Sequence, residues 1–588
     1  MYDLIIAGGS LIDGTGSAAV TGDIAIKDGL IAEIGGRITS PAKRRIDADG
    51  AIVTPGFIDL HSHYDGQISW DDKIDPSFSN GITTTIAGNC GVGFAPARAE
   101  DHDRLISLME VVEAIPGIVL KEGVPWAWET FPDYMEFLGK RSYGVDVGVL
   151  MPHAPLRVYA MGDRAVRHEQ ATAEDIAKMT GWVCEAMAAG AMGVSAGRIV
   201  EHMYGDDRAN VPGTFAEEDE LLAIARAVGD SGHGIFQMIM RGTVGDSAVE
   251  KGLGAEGRLA EHALAERIAR ASGRPVHYLL QQFDSDPGDW KMMLDATARS
   301  NEAGVPVYAH VASRGFGMLS MLDGYHAFMG RPAYLEIAHL SVADRAAAMR
   351  DPTRRAAIMA QEDAPMAVVG RDEWGMAKYL TARAAAAYLL DGRVDYEPDP
   401  SEQVRHIAEA SGRSVLDVVY DHLTADDGGN VVAHMFFNYS NGNLDHTREM
   451  LQSPYALASL GDGGAHMRLI SDVSMMPFHL TFWARDRKRG PTLPLEKMVA
   501  KITGDNARAY AFHDRGTLAV GKRADINVID YDNMRIGLPE MVHDLPAGGG
   551  RLNQVASGFI ATLLNGVVTR ERDADMGERP GRLIRSRR

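Results

Sequence analysis

Two imidazoles one residue apart, His61 and His63, stand at the end of a short apolar run, Phe57-Ile-Asp-Leu60. In an extended strand the side chains alternate, so both rings share a face and can hold one cation together. A carboxylate near the far end of the chain is placed to join them. Asp462 lies in Leu460-Gly-Asp-Gly-Gly464, directly after another apolar run, where flanking glycines allow close approach of a ligand to the backbone. Such a group can act both as metal ligand and as proton acceptor. A third donor is Cys90 in Gly88-Asn-Cys-Gly91, because a soft thiolate suits zinc. The candidate metal ligands are therefore His61, His63, Cys90 and Asp462, with Asp462 as the candidate catalytic base. Four basic side chains at or just beyond predicted strand ends, Arg198, Arg241, Arg468 and His153, are the candidates for binding an anionic substrate, a task for which the bidentate guanidinium is well shaped. His202, His310, His434 and His466 read as structural histidines, and Cys184 fits the apolar face of a helix.

Positioning these groups requires strands that end at one rim. Strand-like runs over 57–63, 83–89, 145–153, 192–196, 234–240, 275–282, 305–311 and 458–461 alternate with helical patterns, which predicts an α/β fold, a parallel (β/α)8 barrel over 56–511. A helix opens after Thr172, and another carries acids in its first turn at Glu217-Glu-Asp-Glu220. The gap between the seventh and eighth runs is too long for a crossover, so 320–455 holds extra helices or a cover over the barrel mouth. Short alternating strands before residue 55 return after residue 512, which predicts a small β-sandwich domain built from 1–55 and 512–575. The basic tail from Arg582 to Arg588 reads as a frayed end.

The 588 residues carry a net charge of −21, which argues against a nucleic-acid partner. Two cysteines make no disulfide framework, and the chain shows neither a secretory leader nor an apolar run long enough to span a bilayer. The expectation is a cytoplasmic protein with a small-molecule substrate and no membrane partner; a homo-oligomer stays open.

Val53-Thr-Pro-Gly-Phe-Ile-Asp-Leu-His-Ser-His63, Gly81-Ile-Thr-Thr-Thr-Ile-Ala-Gly-Asn-Cys-Gly-Val-Gly93, Leu460-Gly-Asp-Gly-Gly464 and the stretch from Gly516 to Asp525 together resemble the amidohydrolase superfamily, and within it the D-aminoacylase (N-acyl-D-amino-acid deacylase) group. The Gly-Asn-Cys-Gly element is the specific part. The resemblance implies zinc held by His61, His63 and Asp462, with Cys90 contributing to a second site, and hydrolysis of the amide of an N-acyl amino acid by a zinc-activated water with Asp462 as base. A side chain near the rim then holds the amino-acid carboxylate. The chain departs from that group at two histidines ending strands five and six: the matching positions are Ile239 and Leu280, and the following lysine is Gln282. One zinc per chain is therefore expected rather than two. The alternatives are an amidohydrolase acting on another amide, a cyclic amide, a lactone or a peptide-like bond, and a non-catalytic binding protein on the same scaffold.

Overall fold

The computed structural model describes residues 1–588 except 205–207, 248, 391, 393, 471 and 588. The fold is mixed α/β. Strand Phe57–Asp59 pairs in parallel with Ile82–Ala87, which pairs with Asp146–Val149. The chain continues into Met151–Pro152, and parallel pairing then passes through Gly193–Gly197, Ile235–Ile239, Val276–Leu280, Val307–Val311 and Ala456–Leu457. Leu460–Gly463, one step further on, pairs in parallel with His61–Ser62. Eight strand positions thus succeed one another and return to the first.

Helices Ala173–Ala189, Glu218–Ser231, Gly254–Ser272 and Asp289–Glu302 occupy the crossovers. The first of them begins as its sequence predicts: the Thr172 hydroxyl accepts the Asp175 N–H and the Asp175 carboxylate accepts the Thr172 N–H, a reciprocal cap. Its buried face is carried by Met179, Val183, Ala186 and Met187, which leaves Cys184 exposed rather than on the apolar face. Among the described residues no helix is long and apolar enough to cross a membrane.

Two additions sit on this frame. Between Val307–Val311 and Ala456–Leu457 the chain forms an antiparallel sheet of Phe316–Ser320, Val431–Phe437 and Tyr388–Leu390, together with helices that have their own apolar core around Phe328, Leu380 and Tyr420. The two parts of the chain flanking the ring share one sheet: Ile526–Ile529 runs antiparallel between Ile52–Pro55 and Phe559–Leu564, and Tyr2–Leu11 extends the same sheet.

The tail is not frayed. Leu583 pairs in parallel with Val147, the Ile584 N–H donates to the Val147 carbonyl (2.7 Å) and the Ser586 N–H to the Gly190 carbonyl (3.0 Å). Ordering comes from main-chain bonds to a ring strand, which composition alone does not reveal. Asp146 is the knot: its carboxylate meets Arg515 (2.7 Å) and Arg523 (2.8 Å) and accepts the Arg582 N–H (2.8 Å). Asp146→Ala removes one of the two carboxylates that pair with the buried Arg515, Asp514 (3.0 Å) being the other, and leaves the Arg582 N–H without its acceptor, so it is expected to lower the thermal midpoint by a few degrees, equivalent to about 2 kcal/mol. A midpoint within one degree or so of wild type, read by calorimetry, contradicts this.

Candidate metal centre

Ring closure joins the two distant parts of the site. His61 lies opposite Leu460 and Ser62 opposite Gly463, so the pairing skips Gly461 and Asp462. This bulge puts Asp462 in the left-handed region (φ +53°) and turns its carboxylate toward the histidines, the re-aiming that bulges beside active sites perform. Its Oδ1 stands 3.3 Å from His63 Nε2 and 3.9 Å from His61 Nε2. The glycines on either side are required by close approach: a Cβ on Gly461 would collide with the Asp59 carboxylate, and one on Gly463 with the Tyr64 hydroxyl.

Cys90 arrives from the turn after Ile82–Ala87 and also has a positive φ, +56°. Neighbouring strands pin that turn. The Cys90 N–H donates to Gln237 Oε1 (2.9 Å), the Gly91 N–H to Ser195 Oγ (3.0 Å), and Asn89 Nδ2 to the Ser62 and Ile86 carbonyls. Cys90 Sγ comes to rest 3.4 Å from His61 Nε2. The ligand atoms of His61, His63 and Cys90 lie within 4.8 Å of one another and all three side chains are buried; Asp462 is the most open of the four at 19% exposure. Two imidazoles, a thiol and a carboxylate converging in a buried pocket form a donor set that fits zinc.

The electrostatics are those of a site built around charge. Burial opposes ionisation of Asp462, but the His63 hydrogen bond and the charges of His63, His61 and His466 outweigh it and hold its carboxyl below the ordinary range. Burial likewise opposes charge on His63, yet Glu113, Asp462 and Cys90 raise its pKa well above normal. Burial, then the charge of His63, depresses His61, and burial pushes the Cys90 thiol up to about 11. A bound cation reverses that last preference, since a coordinating thiol is deprotonated.

Three supporting groups lay outside the candidates read from sequence. Asp59 accepts the His61 and Gly461 N–H groups (3.1 and 3.2 Å), tying the two strand ends together, while burial raises its carboxyl to about 8. Its spacing of two from His61 is a signal that was available. Gln237 holds the Cys90 turn. Glu113, just past helix His102–Val112, places Oε1 3.3 Å from His63 Nδ1, and nothing in its local sequence points there.

At the departures from the resembling group, Ile239 faces the interior and shares an apolar cluster with Cys90, Leu279, Leu460 and Met475. Leu280 does not: it belongs to the large cluster that contains Trp290 and Met293 of helix Asp289–Glu302, and Leu279 is the strand-six side chain beside Cys90. Gln282 is bonded to Asn438, Ser440 and Pro287.

Three of the four substrate-binding candidates are engaged within the fold. Arg198 grips Glu261 through two bonds (2.9 and 3.1 Å), Arg241 pairs with Glu250 (2.6 Å), and His153 Nε2 meets Glu220 (2.7 Å) inside a buried cluster with Arg157. Arg468 differs. It stacks over Tyr325 (4.8 Å) and lines a cavity of about 450 Å³ with Arg208 and His466 but also with Glu110, Asp372 and Glu373, and among the described residues no carboxylate pairs with it. Of the other histidines, His310 bonds His277 and Ser459, and His434 bonds Ser320, as structural groups do.

The profile of the amidohydrolase family matches residues 44–570. The chain is 27% identical over 593 residues to a D-aminoacylase of Alcaligenes xylosoxydans xylosoxydans, covering 99% of this chain and 97% of that one. It is 26% identical over 584 residues to an N-acyl-D-glutamate deacylase of the same organism, covering 99% and 96%. A similar fold is found in the N-acyl-D-glutamate deacylase of Bordetella bronchiseptica, solved with zinc and a phosphonate mimic of the tetrahedral intermediate, at 23% identity, 99% coverage of both chains and a TM-score of 0.63.

Proposed function

The chain belongs to the amidohydrolase family, and from that premise we propose that it hydrolyses the amide bond of an N-acyl-D-amino acid using one zinc ion held by His61, His63, Cys90 and Asp462. The observation that carries this reading is the convergence of those four side chains where the ring closes. The relatives that act on N-acyl-D-amino acids supply the substrate class. A single ion is favoured because Ile239 and Leu279 make the wall beyond Cys90 apolar. In the same reading the eight-position ring is a (β/α)8 barrel over 56–511 with an insertion at about 320–455, and 1–55 with 512–575 form a small β-sandwich domain; the returning parallel pairings and the shared sheet support it.

Bound zinc supplies Lewis-acid polarisation and makes water acidic enough to lose a proton near neutral pH. The protein's part is proton handling and positioning. Asp462 stays ionised and faces the metal-binding imidazoles, so it can take a proton from the attacking water and deliver it to the amide nitrogen as the carbon–nitrogen bond breaks. A carboxylate and a free amine result, and Asp462 returns to its starting state. Asp59 and Gln237 hold the strand ends and the Cys90 turn in place.

Arg468, six residues after the proposed base, is assigned to the substrate carboxylate in the adjoining cavity. Arg468→Met removes a charged hydrogen-bonding partner worth about 1.5–3 kcal/mol, so KM is expected to rise by roughly 10- to 100-fold. Assaying the corresponding amino-acid amide is the control: there the substitution should change little, and an equal loss on both substrates rules out carboxylate recognition. The proposal as a whole is tested by a panel of N-acyl-D- and N-acyl-L-amino acids with the zinc-loaded protein. Turnover of the D series supports it, whereas failure on every member shifts the assignment to another amide or cyclic amide.

A further inference from the structure

We infer that the cavity holding Arg468 selects an N-acyl-D-amino acid whose side chain ends in a cation, which Asp372, Glu373 and Glu110 receive. The inference rests on the amide-hydrolysis reading above and names the side chain that this reading leaves open. Tyr325 lies among the charges concerned. It lines the cavity, is 9% exposed, and its hydroxyl has no hydrogen-bond partner among the described residues. Arg468 stacks over its ring at 4.8 Å. Burial raises the pKa of the phenol; Arg468 opposes that shift, whereas Glu373, Asp372 and Glu110 reinforce it, so charges of both signs act on this one ring. Glu110 Oε1 accepts the Gly117 N–H (2.9 Å), and among the described residues no cation pairs with any of the three carboxylates.

Acylation removes the charge of the α-amine, so the charge of the substrate is set by its carboxylate and its side chain. An acidic side chain makes it a dianion, an apolar one a monoanion and a basic one a zwitterion. The described residues lining the cavity oppose three acids, Glu110, Asp372 and Glu373, to three arginines, Arg208, Arg371 and Arg468. Such a lining repels the second carboxylate of a dianion and suits a ligand with one charge of each sign. The acids come from two separate pieces of chain: helix His102–Val112 carries Glu110, and the first turn of helix Arg371–Arg383 carries Asp372 and Glu373. The helix dipole favours acids in a first turn, but Glu110 stands in the last turn of its helix, where a carboxylate is disfavoured, so helix stability does not explain their meeting. Met318, Met376 and Ile115 line the same space and offer apolar surface to a methylene stem, which a long cationic side chain has. The volume of about 450 Å³ lies in the range of small-molecule sites.

Steady-state rates of the zinc-loaded, full-length protein on N-acetyl-D-lysine, N-acetyl-D-norleucine and N-acetyl-D-glutamate test it. Norleucine keeps the aliphatic stem of lysine and lacks only the ammonium group. For wild type, kcat/KM on the lysine substrate is expected to exceed that on the norleucine substrate by about 10- to 100-fold, the worth of a hydrogen bond to a charged group, and to exceed that on the glutamate substrate by more. In the double variant Asp372→Asn, Glu373→Gln the lysine-to-norleucine ratio should fall by roughly tenfold. Asp372 is exposed and Glu373 half-buried, so the substitutions leave the core untouched, and the wild-type ratio decides the matter even if the variant folds poorly. Turnover of the norleucine or glutamate substrate as efficient as that of the lysine substrate overturns the inference and leaves amide hydrolysis standing. A ratio unchanged in the folded double variant also overturns it, because the cation is then read elsewhere. Failure on every N-acyl-D-amino acid, these three included, removes the proposed reaction and this inference together.

Discussion

Asp462→Asn is expected to lower kcat by about 10³-fold or more, near 4 kcal/mol of transition-state stabilisation, while zinc content stays close to wild type. The reason lies in the separation of two tasks on one side chain. Asparagine keeps the shape of the residue and an oxygen that can face His63 Nε2, and the bulge that sets φ at +53° tolerates asparagine as readily as aspartate. What it cannot do is accept a proton from water and return it to the leaving amine. Metal analysis and steady-state rates on the same preparation check this directly. A variant that retains zinc and turns over within about threefold of wild type removes Asp462 from the role of base, because general-base catalysis is worth far more than that.

The second large effect is expected at His61. Its Nε2 lies 3.4 Å from Cys90 Sγ and 3.9 Å from Asp462 Oδ1, so it is the donor shared by both sides of the site. His61→Ala should reduce bound zinc from about one ion per chain to a small fraction and abolish hydrolysis, since it removes the imidazole that faces both Cys90 and Asp462. Wild type should also melt at a higher temperature when zinc is added, because a ligand that binds only the folded state stabilises it, and this rise should vanish in the variant. The fold itself should persist, as His61 stands at the ring's rim and the buried apolar cluster around Phe57, Ile82, Phe236 and Trp483 is untouched. Undiminished zinc content in His61→Ala would place the metal elsewhere.

How far these features could be read in advance depended on the range of the physics. Strand ends were legible because apolar runs and parity are local: His61, His63 and Cys90 cluster in three dimensions, and Asp462 reaches both histidines. Ile239 faces the interior as parity suggested, but Leu280 faces the helices, because matching strand six by position alone cannot fix which of two adjacent residues points inward. The fate of the arginines was not legible at all. Arg198 and Arg241 look alike as isolated strand-end cations, and only the folded positions of Glu261 and Glu250 decide that both are neutralised. Glu113 was hidden for the same reason, since its partner is 50 positions away and its own helix end carries no pattern. The tail misled through composition, as its arginines resemble a solvated end while its backbone completes a strand edge.

The pairing of early with late residues has a consequence for biosynthesis. As the ribosome extends the chain, Ile52–Pro55 and His61–Ser62 emerge hundreds of residues before Ile526–Ile529 and Leu460–Gly463, the strands they need. Until then these main-chain edges are unpaired, a condition that favours association with other chains. Nascent protein should therefore depend on chaperone shielding during translation, and slowing elongation between residues 62 and 460 should raise the aggregated fraction more than slowing it beyond residue 529, when both partner strands have been made.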